Sequence, residues 1–428
     1  MSALLTDLYE LTMAAGYFAA GRQNDIATFE LSIRRLPANR DFVIVAGLEQ
    51  ALEYLANLRF EPEEIAYLRT LPQFYKAGSE FFDYLAQFRF TGHVFAVTEG
   101  TPVFAGEPIL TLKAPIIEAQ IPETYLLSTI TFQSLIATKA CRVASAAQGR
   151  DVYEFGTRRA HTPEAGVLGA RASYIGGCAG TSNTLAGFRY GIPVFGTAAH
   201  SWVMSFDSEI EAFRELQKLL GSGTVQLIDT YDTLEGARRA ISLGKPLWGV
   251  RIDSGDFVTL SREVRKLLDA AGIEDAKIVL SGDLNEYRIE ELLAEGVPVD
   301  AFGVGTELAT SADSPSMGAI YKVVELEAGG VTRATAKFSA EKTSLPGSKQ
   351  LFRYADHDLI ACSGECSGGA EALQKPVMVG GQIICRQTLQ QARERAKKQL
   401  AAIDIKNHPV DYSPDLQELS RKVQEEAR

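Results

Sequence analysis

The chain has 428 residues, 46% hydrophobic and 23% charged, which allows two or three domains and matches ordinary globular composition. Lysine and arginine number 43 against 54 acidic residues, a formal charge of −11 that excludes a large nucleic-acid surface unless a basic patch gathers locally. Five cysteines in so long a chain make no disulfide framework.

The opening MSALLTDLYELTM has no basic segment followed by a long apolar one, and no run approaches the roughly 18 apolar residues of a membrane span. A reduced, cytoplasmic protein is expected. Helices are predicted over 7–20 and 47–58, flanking a strand over 27–33. The stretch GHVFAVTEGTPVFAGEPILTLKAP then alternates apolar and polar residues between Gly and Pro turns, as a small antiparallel sheet does.

From about residue 150 to 325, strand-like runs alternate with amphipathic helices. The strand candidates are DVYEF, IPVF, VQLID, PLWGVRI, AKIVLS, VDAFGV and AIYKVV, and the helices cover 208–220, 233–243, 258–271 and 285–295. Asp232 and Asp256 stand where helix caps belong. Repeated strand–helix units without a sheet reversal favour a closed parallel barrel over an open doubly wound sheet. The expected fold class is α/β, an irregular TIM-like barrel with a smaller α+β domain built from the N-terminal region, to which the C-terminal tail is a candidate addition. The expected boundaries are 1–115 for the N-terminal domain, 116–340 for the barrel, and 341–428 for an extension packing on the N-terminal domain. That extension starts with a basic loop and carries helices over 389–401 and 417–426.

Each predicted barrel strand ends in a polar or glycine cluster. These are Gly156-Thr-Arg158, Gly196-Thr-Ala-Ala-His200, Asp229-Thr, Arg251-Ile-Asp253-Ser-Gly, Ser281-Gly-Asp283 and Gly303-Val-Gly305-Thr306. In a barrel such positions converge on one face, so the chain reads as an enzyme. The glycines around Asp283 and Thr306 suit close approach of a phosphate, or simply tight turns. His200 could be a general base, a metal ligand, a phosphoryl acceptor or a structural histidine; no second histidine at ligand spacing supports a metal.

Arg158 and Arg159 follow a strand, so alternation would turn only one of them, with His161 nearby, to the pocket. Arg251 suits a carboxylate or phosphate, and Asp253 could fix it as an ion pair, hold a ring nitrogen or contact a ribose hydroxyl. Lys337, Lys342 and Lys349 form a basic loop, suited to polyphosphate or merely solvated. Cys362, Cys366 and Cys385, with His357, have poor zinc spacing, and Cys141 and Cys178 read as buried small residues.

The segments TDLYELTM, FELSIRRLP, EFGTRRAH, GTSN, FGTAAHSW, LIDTYDT, GVRIDSGD, SGDLNE, FGVGTELATS and KFSAEKTSLPGSKQLFR occur in order over roughly residues 5–355. In this the chain closely resembles the nicotinate phosphoribosyltransferases, of the type II phosphoribosyltransferase fold.

The resemblance implies formation of nicotinate mononucleotide and pyrophosphate from nicotinate and phosphoribosyl pyrophosphate, in NAD salvage. ATP hydrolysis would be coupled through a phosphohistidine at His200. Nicotinate would meet Phe155, Gly156, Arg158, Arg251 and Asp253, with Tyr9 supplied by a partner subunit. Thr181, Ser182, Ser254, Gly282, Asp283, Gly303, Gly305 and Thr306 would hold the phosphoribosyl group. Arg34, Lys337 and Lys342 would meet pyrophosphate or ATP. Mg²⁺ would be bound mainly through phosphates, and a homodimer is implied. No motif accounts for the tail after about residue 355. Rival readings are a nicotinamide- or quinolinate-using relative, a barrel lyase or isomerase acting on a sugar phosphate, and a non-catalytic nucleotide sensor.

Overall fold

The computed structural model describes residues 2–37, 39–338, 344–366 and 368–427. The chain divides into two compact units, Met1–Leu135 with Ser316–Arg428, and Ile136–Pro315.

The first unit is built on the strand Ile26–Arg35, which pairs antiparallel with Pro108–Pro115 on one side and Gly318–Ala328 on the other. The sheet continues through His93–Val97 to Gln374–Val379. Phe29, Leu31 and Ile33 are buried along it, and Phe29 stacks on Tyr321 at 4.8 Å between centroids. Helices Leu8–Ala19 and Leu48–Asn57 belong to this unit, as do the tail helices Leu389–Ala402 and Pro414–Glu426.

Two expectations are corrected here. AIYKVV is not a barrel strand: it belongs to Gly318–Ala328, whose nine paired positions with Ile26–Arg35 place it in the antiparallel sheet, with Tyr321 and Val324 buried. The barrel unit is accordingly Ile136–Pro315 rather than 116–340, and the chain returns to the N-terminal sheet well before residue 341. Nor is Lys349 a loop cation. It is buried, with Nζ 2.8 Å from Glu30 Oε2, because the strand Lys349–Arg353 carries it inside. Lys342 lies outside the described residues.

The second unit holds a parallel sheet in the order Gly180–Thr181, Asp151–Glu154, Ala301–Val304, Lys277–Ser281, Gly249–Ile252, Val225–Leu227. IPVF contributes only a single bridge, Val194 to Thr181. Numbered along the chain, these segments follow one another around a ring, with the last strand beside the first. That cyclic order is the barrel's. Among the described residues no backbone ladder joins Val194 to Val225–Leu227, so the ring has one seam.

Helices Glu209–Leu220, Thr233–Ser242, Phe257–Ala270 and Glu286–Ala294 cross between strands, and the side chains of Asp232, Asp256 and Asn285 cap the last three. Strand side chains such as Val250, Ile278, Leu280 and Phe302 are fully buried against these helices. Phe302→Ala should lower unfolding free energy by about 3–5 kcal/mol, measured by denaturant titration with an unchanged m value.

Candidate active site

Arg251 occupies the strand Gly249–Ile252 and points across the seam. Its Nη1 donates to Thr197 Oγ1 at 2.5 Å and to the Ala198 carbonyl at 3.4 Å, while Nη2 reaches Asp253 Oδ1 at 3.2 Å. Its side chain is only 12% exposed, and the buried Nε–H has no acceptor among the described residues. One edge of the guanidinium is thus held by the protein while a donor remains unmatched. A buried unpaired donor of this kind costs about 1–3 kcal/mol until a ligand or water meets it.

Asp253 is the second hub. Oδ1 also accepts from Ser281 Oγ, and the backbone N–H of Asp253 donates to Asp229 Oδ2 at 3.1 Å. Burial by itself would raise the Asp253 carboxyl, but the Ser281 hydroxyl and the Arg251 charge outweigh it and hold the group below the usual aspartate range. The anion is therefore fixed in place.

His200 opens the short helix His200–Met204. Nδ1 lies 3.1 Å from Thr230 Oγ1, and Nε2 lies 3.8 Å from Asp253 Oδ2. One ring nitrogen is engaged by a hydroxyl; the other faces a carboxylate beyond hydrogen-bond reach. This ring can accept or donate a proton, and it can take up an electrophile at a nitrogen.

A cavity of about 700 Å³ opens on these groups. It is also lined by Phe155, Arg158, Arg159, Ser182, Asp283 and Thr306, and by Gly282, Gly303, Gly305 and Glu307. Phe155 belongs to an aromatic stack in which Tyr153 and Phe195 lie 4.0 Å apart at 12°, with Trp248 against Phe195 at 5.6 Å. Gly303 makes room for it, since a Cβ there would overlap the Phe155 ring. Gly282 has φ +97°, and a Cβ would overlap the Asp253 carbonyl, so the loop that touches the carboxylate hub requires glycine.

Both Arg158 and Arg159 line the cavity, against the expectation of one. They sit in the 3₁₀ turn Thr157–Arg159, where strand alternation no longer applies. Two expected residues, Gly156 and Thr181, are buried behind the wall. The Gly156 N–H donates to Glu154, and Thr181 is buried and donates to the other oxygen of Glu154 at 2.6 Å. Burial pushes the Glu154 carboxyl up, partly offset by these two donors. Ser254 donates to Asp229 Oδ2 at 2.7 Å instead of lining the cavity.

Tyr9, 48% exposed on helix Leu8–Ala19, belongs to the other unit, as do Arg34, Lys337, Cys362, Cys366 and Cys385. Among the described residues no three His, Cys, Asp or Glu side chains gather as metal ligands. Sequence reasoning gave no individual role to Thr197, Thr230 and Ser281, which it placed only within strand-end clusters, and did not name Glu307. All four sit at or just past strand ends, so the signal was present, but none has a side chain that advertises chemistry by itself.

The nicotinate phosphoribosyltransferase (NAPRTase) N-terminal domain model matches residues 4–131, and the nicotinate phosphoribosyltransferase (NAPRTase) family model matches 151–353. The chain belongs to the nicotinate phosphoribosyltransferase family. It is 45% identical over 416 residues to a nicotinate phosphoribosyltransferase of Mycobacterium tuberculosis, covering 94% of this chain and 88% of that one. The Bacillus subtilis nicotinate phosphoribosyltransferase is 43% identical over 82% of this chain and 72% of its own. The crystal structure of human nicotinic acid phosphoribosyltransferase superposes with a TM-score of 0.83 at 27% identity, over 98% of this chain and 99% of that one. Among the described residues no helix is long and apolar enough to cross a membrane.

Because the folded Asp253 carboxyl sits below its unfolded value, it stabilises the protein above the unfolded pKa of about 3.9, and that contribution is lost as pH falls through the folded value. The stability difference between wild type and Asp253→Asn should therefore shrink on acidification below about pH 4, read by chemical denaturation across pH 3–6. A difference that stays constant across that range would contradict the assignment.

Proposed function

We propose that the protein forms nicotinate mononucleotide and pyrophosphate from nicotinate and phosphoribosyl pyrophosphate. The observation that carries this reading is the Arg251 guanidinium, buried beside an aromatic wall with an unmatched Nε–H. An anionic heteroaromatic acid satisfies both features, its ring against Phe155 and its carboxylate toward Arg251. Arg158 and Arg159 add positive charge on the same cavity.

In the reaction the pyridine nitrogen forms a bond to the ribose anomeric carbon as the bond to pyrophosphate breaks, through an oxocarbenium-like transition state. The nitrogen lone pair is free at neutral pH, so no general base is needed. Alignment and stabilisation of the departing pyrophosphate do most of the work. The loops around Gly282–Asp283 and Gly303–Thr306 offer the close backbone approach that a phosphorylated sugar needs. Mg²⁺ would enter on the pyrophosphate itself, where it neutralises developing charge.

ATP coupling is a second part of the proposal. His200 would take the γ-phosphoryl group at a ring nitrogen, the new P–N bond replacing the P–O bond to ADP, and water would later cleave it. Support comes from the ring's position on the cavity wall, held by Thr230 and next to Asp253. The protein would act as a homodimer to which a partner contributes Tyr9, in keeping with the exposed apolar side chains Leu5, Leu8, Tyr9 and Met13.

ATP should stimulate nicotinate mononucleotide synthesis by the wild type, and His200→Ala should abolish the stimulation; equal stimulation in the variant would remove His200 as acceptor while leaving the transferase. Arg251→Gln should raise the KM for nicotinate by about tenfold or more, with a smaller effect on phosphoribosyl pyrophosphate. Product from nicotinamide but not from nicotinate would overturn the acid-specific reading.

A further inference from the structure

Lys139 lies in helix Glu123–Ala146 with its side chain at 0% exposure. Its Nζ is 2.6 Å from Glu286 Oε2, 2.9 Å from Asp313 Oδ1 and 3.9 Å from Glu307 Oε2. Arg142, almost one turn further along, brings Nε to 3.0 Å from Glu286 Oε1. The three carboxylates follow the glycine segments at the ends of two strands, Glu286 and Glu307 in the first turns of helices and Asp313 in a turn. Glu286 starts the helix that follows Ser281-Gly282-Asp283, while Glu307 and Asp313 follow Gly303-Val304-Gly305. Of the three, Glu307 is the most exposed, at 32%, and it also lines the cavity.

We propose that Lys139 is a positioning residue for phosphoribosyl pyrophosphate: through Glu286 and Asp313 it ties together, from behind, the two glycine loops of the phosphate end, and by partly neutralising Glu307 it keeps that end receptive to an anion. The inference rests on the transferase reading above. A lysine enclosed to this degree is retained against a large desolvation cost only when several partners meet it.

Its removal would leave the carboxylates of Glu286, Glu307 and Asp313 without the ammonium they share. Like charges at that spacing cannot all stay ionised and still. Glu286 and Asp313 are the more enclosed, so the carboxylate with room to move is Glu307, and its room is the cavity. The damage would fall on the polyphosphate substrate, whose charge is greatest, and the aromatic wall and Arg251 would be spared.

The test compares wild type, Lys139→Met, Lys139→Arg, Lys139→Met/Glu307→Gln and Asp313→Asn. Calorimetric binding of phosphoribosyl pyrophosphate and of inorganic pyrophosphate is read beside the KM for each substrate and the thermal midpoint. Lys139→Met should weaken phosphoribosyl pyrophosphate binding about tenfold or more while the nicotinate KM moves less than about twofold. Adding Glu307→Gln should recover a substantial part of the loss, and Lys139→Arg should retain most of the wild-type affinity. A lower thermal midpoint with unchanged affinity, equal losses for both substrates, or no recovery in the double variant would overturn the proposal.

If Lys139→Met does not fold, Asp313→Asn decides, because it removes one arm at a partly exposed position. A loss of about threefold confined to phosphoribosyl pyrophosphate supports the proposal, and unchanged affinity overturns it. Wild type that binds phosphoribosyl pyrophosphate but does not turn over nicotinate would overturn the functional reading alone.

Discussion

The candidate site depends on one arginine. Arg251 reaches from the strand Gly249–Ile252 to Thr197 and Ala198, across the only stretch of the barrel ring that no described backbone pairing closes. Elsewhere backbone hydrogen bonds hold neighbouring strands about 4.8 Å apart. At the seam that task falls to a guanidinium, a planar fork with several donors in fixed relative directions. Asp253, two residues on, holds the fork from the other side, and Ser281 and Asp229 hold Asp253 in turn. A break in the backbone ladder thereby becomes a polar opening whose geometry is still determined.

Rigidity at such a place has a cost in unmatched polarity. Arg251 Nε and Asp229 Oδ1 are both buried without a partner among the described residues, and both belong to this network. Interiors of folded proteins rarely tolerate such groups without a purpose. Arg251 lines a large cavity, where a ligand can complete its share of the network. Arg158, Arg159 and Arg251 all line that cavity, alongside the carboxylates of Asp253, Asp283 and Glu307.

Glycine has a similar structural logic. Gly282 and Gly303 are required by contact, the first with the Asp253 carbonyl and the second with the Phe155 ring. Any side chain at either would push apart the two features that define the cavity, its carboxylate hub and its aromatic wall.

The strand Gly180–Thr181 was not legible from the chain and IPVF gives a single bridge, whereas the strand Asp151–Glu154, the strands and crossover helices from Val225 to Val304, the caps at Asp232 and Asp256, and the polar clusters at strand ends were legible. They depend on local periodicity and on short-range hydrogen bonding, which the sequence specifies directly. The phase of each strand-end cluster also identified His200, Arg251, Asp253, Gly282 and Gly303 as neighbours of one pocket.

Other features depended on partners distant in sequence. AIYKVV reads as one more barrel strand, yet its partner is Ile26–Arg35, almost three hundred residues earlier. Lys349 reads as a loop cation and is buried on Glu30; Thr181 and Gly156 read as ligand contacts and instead satisfy the buried Glu154. Lys139, in an otherwise unremarked helix, collects carboxylates from residues 286, 307 and 313. The sequence by itself determined most of the elements and the barrel class, and it placed polar candidates at the strand ends. Only the tertiary structure decided which polar groups are spent on one another and which are left for a ligand, because that depends on side-chain reach across strands whose separation in the chain carries no signal of their distance in space.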